Sequence, residues 1–148
     1  MIKQISIKTT LGWISAFENN GKIFRIKFGK VNKQQKSKQL IKFKRELLNY
    51  FDHKANKIKG PYEMLGNLMQ IKIWNELKKI QKGKTISYGK IAKKYKTSPR
   101  LIGKICGQNK LLLVVPCHRV IRSDGSLGGF SSVGGTKLKK KLLDFERL

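Results

Sequence analysis

Leu111-Leu112-Leu113-Val114-Val115-Pro116-Cys117-His118-Arg119-Val120-Ile121 carries the one arrangement of residues in this chain that suggests chemistry. A hydrophobic run of this kind is buried. It therefore presents the following Pro-Cys-His-Arg from a rigid base. A free thiol has a pKa near ~8.5 and is a modest nucleophile at neutral pH unless a neighbour takes its proton. Cys117 is followed by His118, but adjacent side chains diverge, so a bridging water is the better route between them. A histidine base works best with a carboxylate on its other ring nitrogen. Only Asp124, Asp144 and Glu146 lie downstream. Taken alone, a cysteine behind an apolar run also fits a buried packing residue.

Upstream lies a compact helical pair. Thr85-Ile86-Ser87 leads into Tyr88-Gly89-Lys90-Ile91-Ala92-Lys93-Lys94-Tyr95, with Ser87 as N-cap. Lys96-Thr97 turns the chain, and Ser98-Pro99 opens a second helix over 99–106 with Ser98 as its cap. Gly107 is placed to end it in a left-handed conformation. Two short helices joined by a tight turn read as a helix-turn-helix, whose second helix would meet DNA. Ahead of them, Leu65, Leu68, Met69, Ile73, Trp74, Leu77 and Ile80 share one face of a helix expected over 65–80.

Downstream, five glycines in 125–135 make a loop that lets a ligand approach the backbone closely. A last helix is expected from about 137 to 143 or beyond, with Leu138, Leu142, Leu143 and Phe145 as its apolar residues.

The beginning of the chain is different. Residues 2–8 alternate like a strand, 11–17 read as a second, and 22–28 as a third after the turn signal Asn19-Asn20-Gly21. A helix follows over 39–51. Lys59-Gly60-Pro61 is a breaker, and the domain boundary is placed there. The expected organisation is a 1–60 α/β structural domain and a 61–148 domain bearing the helical pair and the thiol.

The 148 residues are 39% hydrophobic, enough to bury a core. Net charge is +26, which favours polyanions such as nucleic acid or an anionic surface. Residues 1–60 hold 15 basic and 3 acidic residues, and 61–148 hold 19 and 5, so the charge is spread along the chain. No apolar run approaches the ~18 residues of a membrane span, and residues 1–7 lack a signal-peptide pattern. A cytoplasmic, monomeric protein without membrane attachment is expected. Two cysteines and two distant histidines, His53 and His118, do not suggest a metal site, and no cofactor is indicated.

Pro116-Cys117-His118-Arg119-Val120 resembles the active-site signature of the O6-alkylguanine-DNA alkyltransferases. The likeness extends to Gln70-Ile71-Lys72-Ile73-Trp74-Asn75-Glu76-Leu77, to the Ser87-Tyr88-Gly89 and Arg100-Leu101-Ile102-Gly103 helices, and to Gly107-Gln108-Asn109. Gly128-Gly129-Phe130-Ser131 resembles the pocket loop, and Leu142-Leu143-Asp144-Phe145-Glu146 the closing Leu-Leu-x-x-Glu. It is strong over about 65–148 and weaker over 1–60, where it implies a ribonuclease-H-like first domain.

The resemblance implies direct, stoichiometric repair of O6-alkylguanine in double-stranded DNA, with O4-alkylthymine as a second candidate lesion. Cys117 would accept the alkyl group, His118 would take its proton through a water, and Glu146 would hold His118. Asn109 would brace the turn. Tyr88 would help rotate the nucleotide out, and Arg100 would fill the vacated stack. Main-chain groups around Cys117 and Val120 would read the guanine edge, and the Ser131 amide would bond near O6. Phe130 belongs to the pocket loop, and a helix N-terminus near Ser87 or Ser98 would hold a phosphate. Flipping the base costs roughly a few kcal/mol.

Three features depart from the family pattern. Lys110 stands where Pro often follows the Asn, Phe130 stands where Tyr is frequent, and two extra residues separate the pocket loop from Glu146. No zinc-binding repair domain is expected ahead of the alkyltransferase part. The competing readings are an alkyltransferase-like protein that binds lesions without chemistry, a helix-turn-helix DNA-binding protein, and a Cys-His hydrolase. The relatives that lack chemistry replace the acceptor Cys, which Cys117 argues against.

Overall fold

The computed structural model describes residues 1–130 and 132–148. The chain divides into two units. One comprises Met1–Leu65 with Lys110–Val114, and the other Gly66–Asn109 with Val115–Leu148.

The first unit is a three-stranded antiparallel sheet, order β1-β2-β3, with one helix against it. The strands are β1 (Ile2–Thr9), β2 (Gly12–Asn19) and β3 (Lys22–Phe28), and the helix is α1 (Lys38–Phe51). Asn20 and Gly21 both sit at positive φ, 52° and 81°, the conformation that a two-residue hairpin turn requires. Ile5, Ile7, Ile14, Ala16, Ile23 and Ile26 form a buried apolar set on the sheet. Leu40, Phe43, Leu47, Tyr50 and Phe51 are buried on α1. Ser37 starts α1 by accepting from the Leu40 amide.

Two segments join this unit beyond residue 60. Ile23 donates to the Pro61 carbonyl and Glu63 donates back to Ile23, which ties 61–63 to the edge of β3. Ile26 donates to the Lys110 carbonyl, and Leu111 bridges to Ile26. Lys59-Gly60-Pro61 thus lies inside the unit. The apolar run 111–115 also bends, because Leu113 takes a left-handed φ of 73°.

In the second unit, the helix expected over 65–80 is shorter, α2 at Leu68–Leu77. Asn67 caps it reciprocally with Gln70, which sets the start. Leu65 and Leu68 are 56% and 89% exposed, so they do not belong to its buried face. β4 (Ile86–Ser87) runs directly into α3 (Tyr88–Lys94), and α4 (Pro99–Gly107) follows. Ser87 and Ser98 cap these helices by accepting from Lys90 and Leu101. Gly107 does not end α4 in a left-handed conformation. The helix closes on Gln108 at φ −91°, whose amide reaches the Lys104 and Ile105 carbonyls. With those carbonyls already served, no left-handed residue is required.

A one-turn 3-10 segment at Cys117–Arg119 leads into β5 (Val120–Ile121), which pairs in parallel with β4. α5 (Gly135–Glu146) closes the chain two residues earlier and three later than the core of its expected span. Trp74 Nε1 donates to the Ile105 carbonyl at 3.0 Å, linking α2 with α4. Among the described residues, no helix is long and apolar enough to cross a membrane.

Candidate active site

The β4–β5 pairing sets Ile86 beside Val120 and Ser87 beside Ile121. It thereby brings Tyr88, the first residue of α3, next to the turn that carries Cys117. A cavity of about 710 Å³ opens there, lined by Tyr88, Arg100, Cys106, Cys117, Gly128 and Phe130 among others. Cys117 is 4% exposed and is a free thiol.

Behind the thiol lies a buried polar cluster. Asn109 Nδ2 donates to the Val115 carbonyl at 2.8 Å and to Cys117 Sγ at 3.3 Å. His118 is 1% exposed, and its Nε2 stands 3.0 Å from Glu146 Oε1. The imidazole thus contacts the carboxylate without meeting hydrogen-bond geometry. The same oxygen also receives Arg119 Nε at 2.9 Å, while Arg119 Nη2 reaches Oε2 at 2.6 Å. Arg119 Nη1 donates to the Ile80 carbonyl. Among the described residues His118 Nδ1 has no protein hydrogen-bond partner, and no direct hydrogen bond joins the imidazole to Sγ.

The electrostatics follow from burial. Burial raises the Cys117 pKa, against the opposing pull of Asn109 and Lys139. Burial lowers the His118 pKa, with Glu146 acting the other way. Burial would raise Glu146, but Arg119 and His118 together hold its carboxyl well below the usual range. The resting cluster is therefore a neutral thiol, a neutral imidazole and an Arg-Glu ion pair.

Cys117, His118, Asn109 and Glu146 thus lie in one buried cluster, although 37 positions separate Asn109 from Glu146 in the chain. Asp144 pairs instead with Lys140 on the surface. Tyr88, Arg100 and Phe130 line the cavity, and Val120 is buried in β5. Ser87 spends its hydroxyl on the α3 cap. Ser131 lies outside the described residues.

Two residues without an assigned role in the sequence reading belong to this site. Arg119 clasps the carboxylate. Lys139, completely buried, donates to Tyr88 Oη at 3.2 Å, the Val120 carbonyl at 2.7 Å and the Gly129 carbonyl at 3.1 Å. Burial lowers its pKa, and burial also pushes the Tyr88 phenol up to about 12. The signal for Lys139 was its helical register, since 139, 142, 143 and 146 share one face of α5. Gly128, at φ +74°, lies against Tyr88; a Cβ there would come within 3.1 Å of the ring. Its glycine identity lets the loop pass over the phenol.

Residues 68–148 match the family model for the 6-O-methylguanine DNA methyltransferase DNA-binding domain. A methylated-DNA–protein-cysteine methyltransferase of Sulfolobus acidocaldarius is 42% identical over 66% of this chain, a match that spans 61% of that protein. One from Metallosphaera sedula is 31% identical over 99% of this chain and 94% of its own length. The crystal structure of Mycobacterium tuberculosis OGT in complex with DNA superposes with a TM-score of 0.86 at 25% identity, covering 97% of this chain and 92% of that one. A family match that includes the cavity, the buried thiol and the Arg-Glu-His cluster leaves one assignment: the chain belongs to the O6-methylguanine DNA methyltransferase family.

Proposed function

We propose that this protein repairs DNA by moving the alkyl group of O6-alkylguanine onto Cys117, once per molecule. The observation that carries this reading is a free, buried thiol on the wall of a cavity with His118, Glu146 and Arg119 packed behind it. The bond from the alkyl carbon to guanine O6 breaks and a bond from that carbon to Sγ forms. The thiol proton passes through a water to His118, whose other nitrogen faces Glu146. Guanine departs as its anion, stabilised by a hydrogen bond from Tyr88, itself held by Lys139, and then takes a proton from solvent. The product is a thioether, which water does not reverse, so no cofactor is required and each molecule acts once.

α3 and α4 act in this reading as a helix-turn-helix, with α4 meeting duplex DNA. The Ser98 cap and the exposed Arg100 at its N-terminal end support that role. A base inside a duplex cannot reach a thiol that is 4% exposed, so the nucleotide is rotated out and Arg100 occupies the gap. Asn109 braces the turn between α4 and the thiol. The main chain at Val120 and the amide of Ser131 read the base, and Phe130 walls the pocket. The first unit is a ribonuclease-H-like structural domain, a reading supported by its antiparallel sheet with a helix against it. The protein works as a cytoplasmic monomer.

Intact mass spectrometry after mixing with a duplex containing O6-methylguanine tests the proposal. A gain of one methyl, mapped to Cys117 and absent in Cys117→Ala, is the expected result. Tight binding with unchanged mass would instead identify a lesion-binding protein without chemistry.

A further inference from the structure

The outer face of the first unit's sheet gathers aromatic rings and cations. β2 and β3 pair Phe17 with Arg25 but Glu18 with Ile23, so Phe24 is the extra residue of a β-bulge. Ile23 and Ile26 are buried on either side, so Phe24 and Arg25 both turn away from the core. In a regular strand only one of two successive residues would do so. The bulge sets Phe24 6.5 Å from Phe17, centroid to centroid. Arg25 lies 5.9 Å and Lys27 5.6 Å from the centroid of the Phe17 ring. At the start of β2, Trp13 lies under Lys30, which follows β3 and stands 4.6 Å from the ring centroid.

This face is unbalanced in charge. The three strands turn Lys8, Lys22, Arg25 and Lys27 outward, whereas their one acid, Glu18, is buried on the other face in register with Lys3. Among the described residues, neither Arg25 nor Lys27 forms an ion pair, and both crowd one ring. Two like charges over a single ring repel each other, and an anion between them relieves that repulsion. Half-buried rings beside unpaired cations are the combination that holds single-stranded nucleic acid, through base stacking and phosphate contacts.

We propose that Phe17, Phe24, Arg25 and Lys27 form a second DNA-contact surface, one that takes unpaired single-stranded DNA. An acidic protein segment would use the cations and leave the bulged Phe24 without purpose, so the rings favour nucleic acid. The site lies wholly within the first unit, outside the residues 68–148 matched by the DNA-binding family model. Only the choice of DNA rests on the proposed repair function.

Ultraviolet crosslinking of the full chain to an undamaged oligothymidylate, followed by peptide mapping, tests this directly. Crosslinks in the peptide that spans β2 and β3 are expected, and crosslinks confined to residues 66–109 and 115–148 would overturn the proposal. Anisotropy titrations supply a second readout. Phe17→Ser/Phe24→Ser is expected to weaken binding about tenfold or more. Arg25→Gln/Lys27→Gln is expected to flatten the log–log salt slope by about 1.4, at about 0.7 per phosphate contact. Both variants should keep the parent's melting midpoint and its methyl transfer from free O6-methylguanine base. Loss of affinity in the charge variant alone, or equal affinity for polyglutamate, would sink the stacking surface. Crosslinking at β2 and β3 without methyl transfer would refute the repair function and leave this surface standing.

Discussion

Arg119 grips Glu146 with two parallel hydrogen bonds, Nε to Oε1 at 2.9 Å and Nη2 to Oε2 at 2.6 Å, on the carboxylate that also stands 3.0 Å from His118. A buried carboxylate facing only a neutral imidazole would tend to take up a proton. The guanidinium keeps it charged and fixes its plane, which in turn fixes the imidazole. Arg119 is therefore a positioning residue.

Breaking this clasp should be costly. Arg119→Met leaves a buried carboxylate without its cation, for which a loss of about 3–5 kcal/mol is expected in urea melts. Arg119→Lys restores charge but not the fork and should recover only part of it. The pH dependence has a definite sign. Glu146 titrates below its unfolded value, so its contribution is full above about pH 4.3 and fades as pH falls through the lowered value. Glu146→Gln should flatten the acid limb of the stability curve. Identical acid limbs in the two proteins would contradict this.

The thiol has the opposite behaviour. Burial raises the Cys117 pKa, so the fold favours the protonated form. That preference is complete below the unfolded value of about 8.5 and is lost as pH climbs toward the raised one. Wild type should therefore lose stability above about pH 8.5 relative to Cys117→Ala. Iodoacetamide should modify Cys117 slowly at neutral pH and faster as pH rises. Rapid modification at pH 7 would show a thiolate already present.

Asn109→Ala removes the donor to both the Val115 carbonyl and Cys117 Sγ. The Val115 carbonyl keeps the Cys117 amide as a donor, so losing the side-chain bond costs about 0.5–1.5 kcal/mol. Thermal melts should register this, and transfer from free O6-methylguanine base should slow as well, because Sγ loses a fixed contact. An unchanged rate would confine Asn109 to a structural role.

Lys139→Met keeps the length of the side chain but strips Tyr88 Oη and the Val120 and Gly129 carbonyls of a shared donor. Transfer is expected to fall by about tenfold, less than the ~10²–10³ lost with a donor that touches the developing charge itself, because Lys139 acts through Tyr88. Tyr88→Phe should then add little to Lys139→Met. Additive losses in the double mutant would show that the two act separately.

Arg100→Ala is expected to slow repair in duplexes more than transfer from free base, since only the duplex has a gap to fill. Single-turnover rates on both substrates check it, and equal losses would remove the stacking role.

Much of the local structure was legible from residues alone because it depends on neighbours within about four positions. The Asn20-Gly21 turn, the Ser87 and Ser98 caps and the Pro99 helix start are of this kind. Periodicity misplaced the ends of α2, because Leu65 and Leu68 continue the apolar pattern while remaining exposed. Asn67, a polar cap inside that pattern, set the actual start.

The position of the thiol behind a buried run, between a helical pair and a glycine-rich loop, was determined by the sequence itself. Only the tertiary structure brought Glu146 and Arg119 together across 27 positions, set Lys139 under Tyr88 across 51, and assigned 110–114 to the first unit. Those pairings depend on which faces of distant elements pack together. A lysine on α5 reads as one more surface charge until burial leaves its ammonium to satisfy three oxygens. Cys117 could be named from its neighbours in the chain, but the polar cluster that surrounds it is a product of packing.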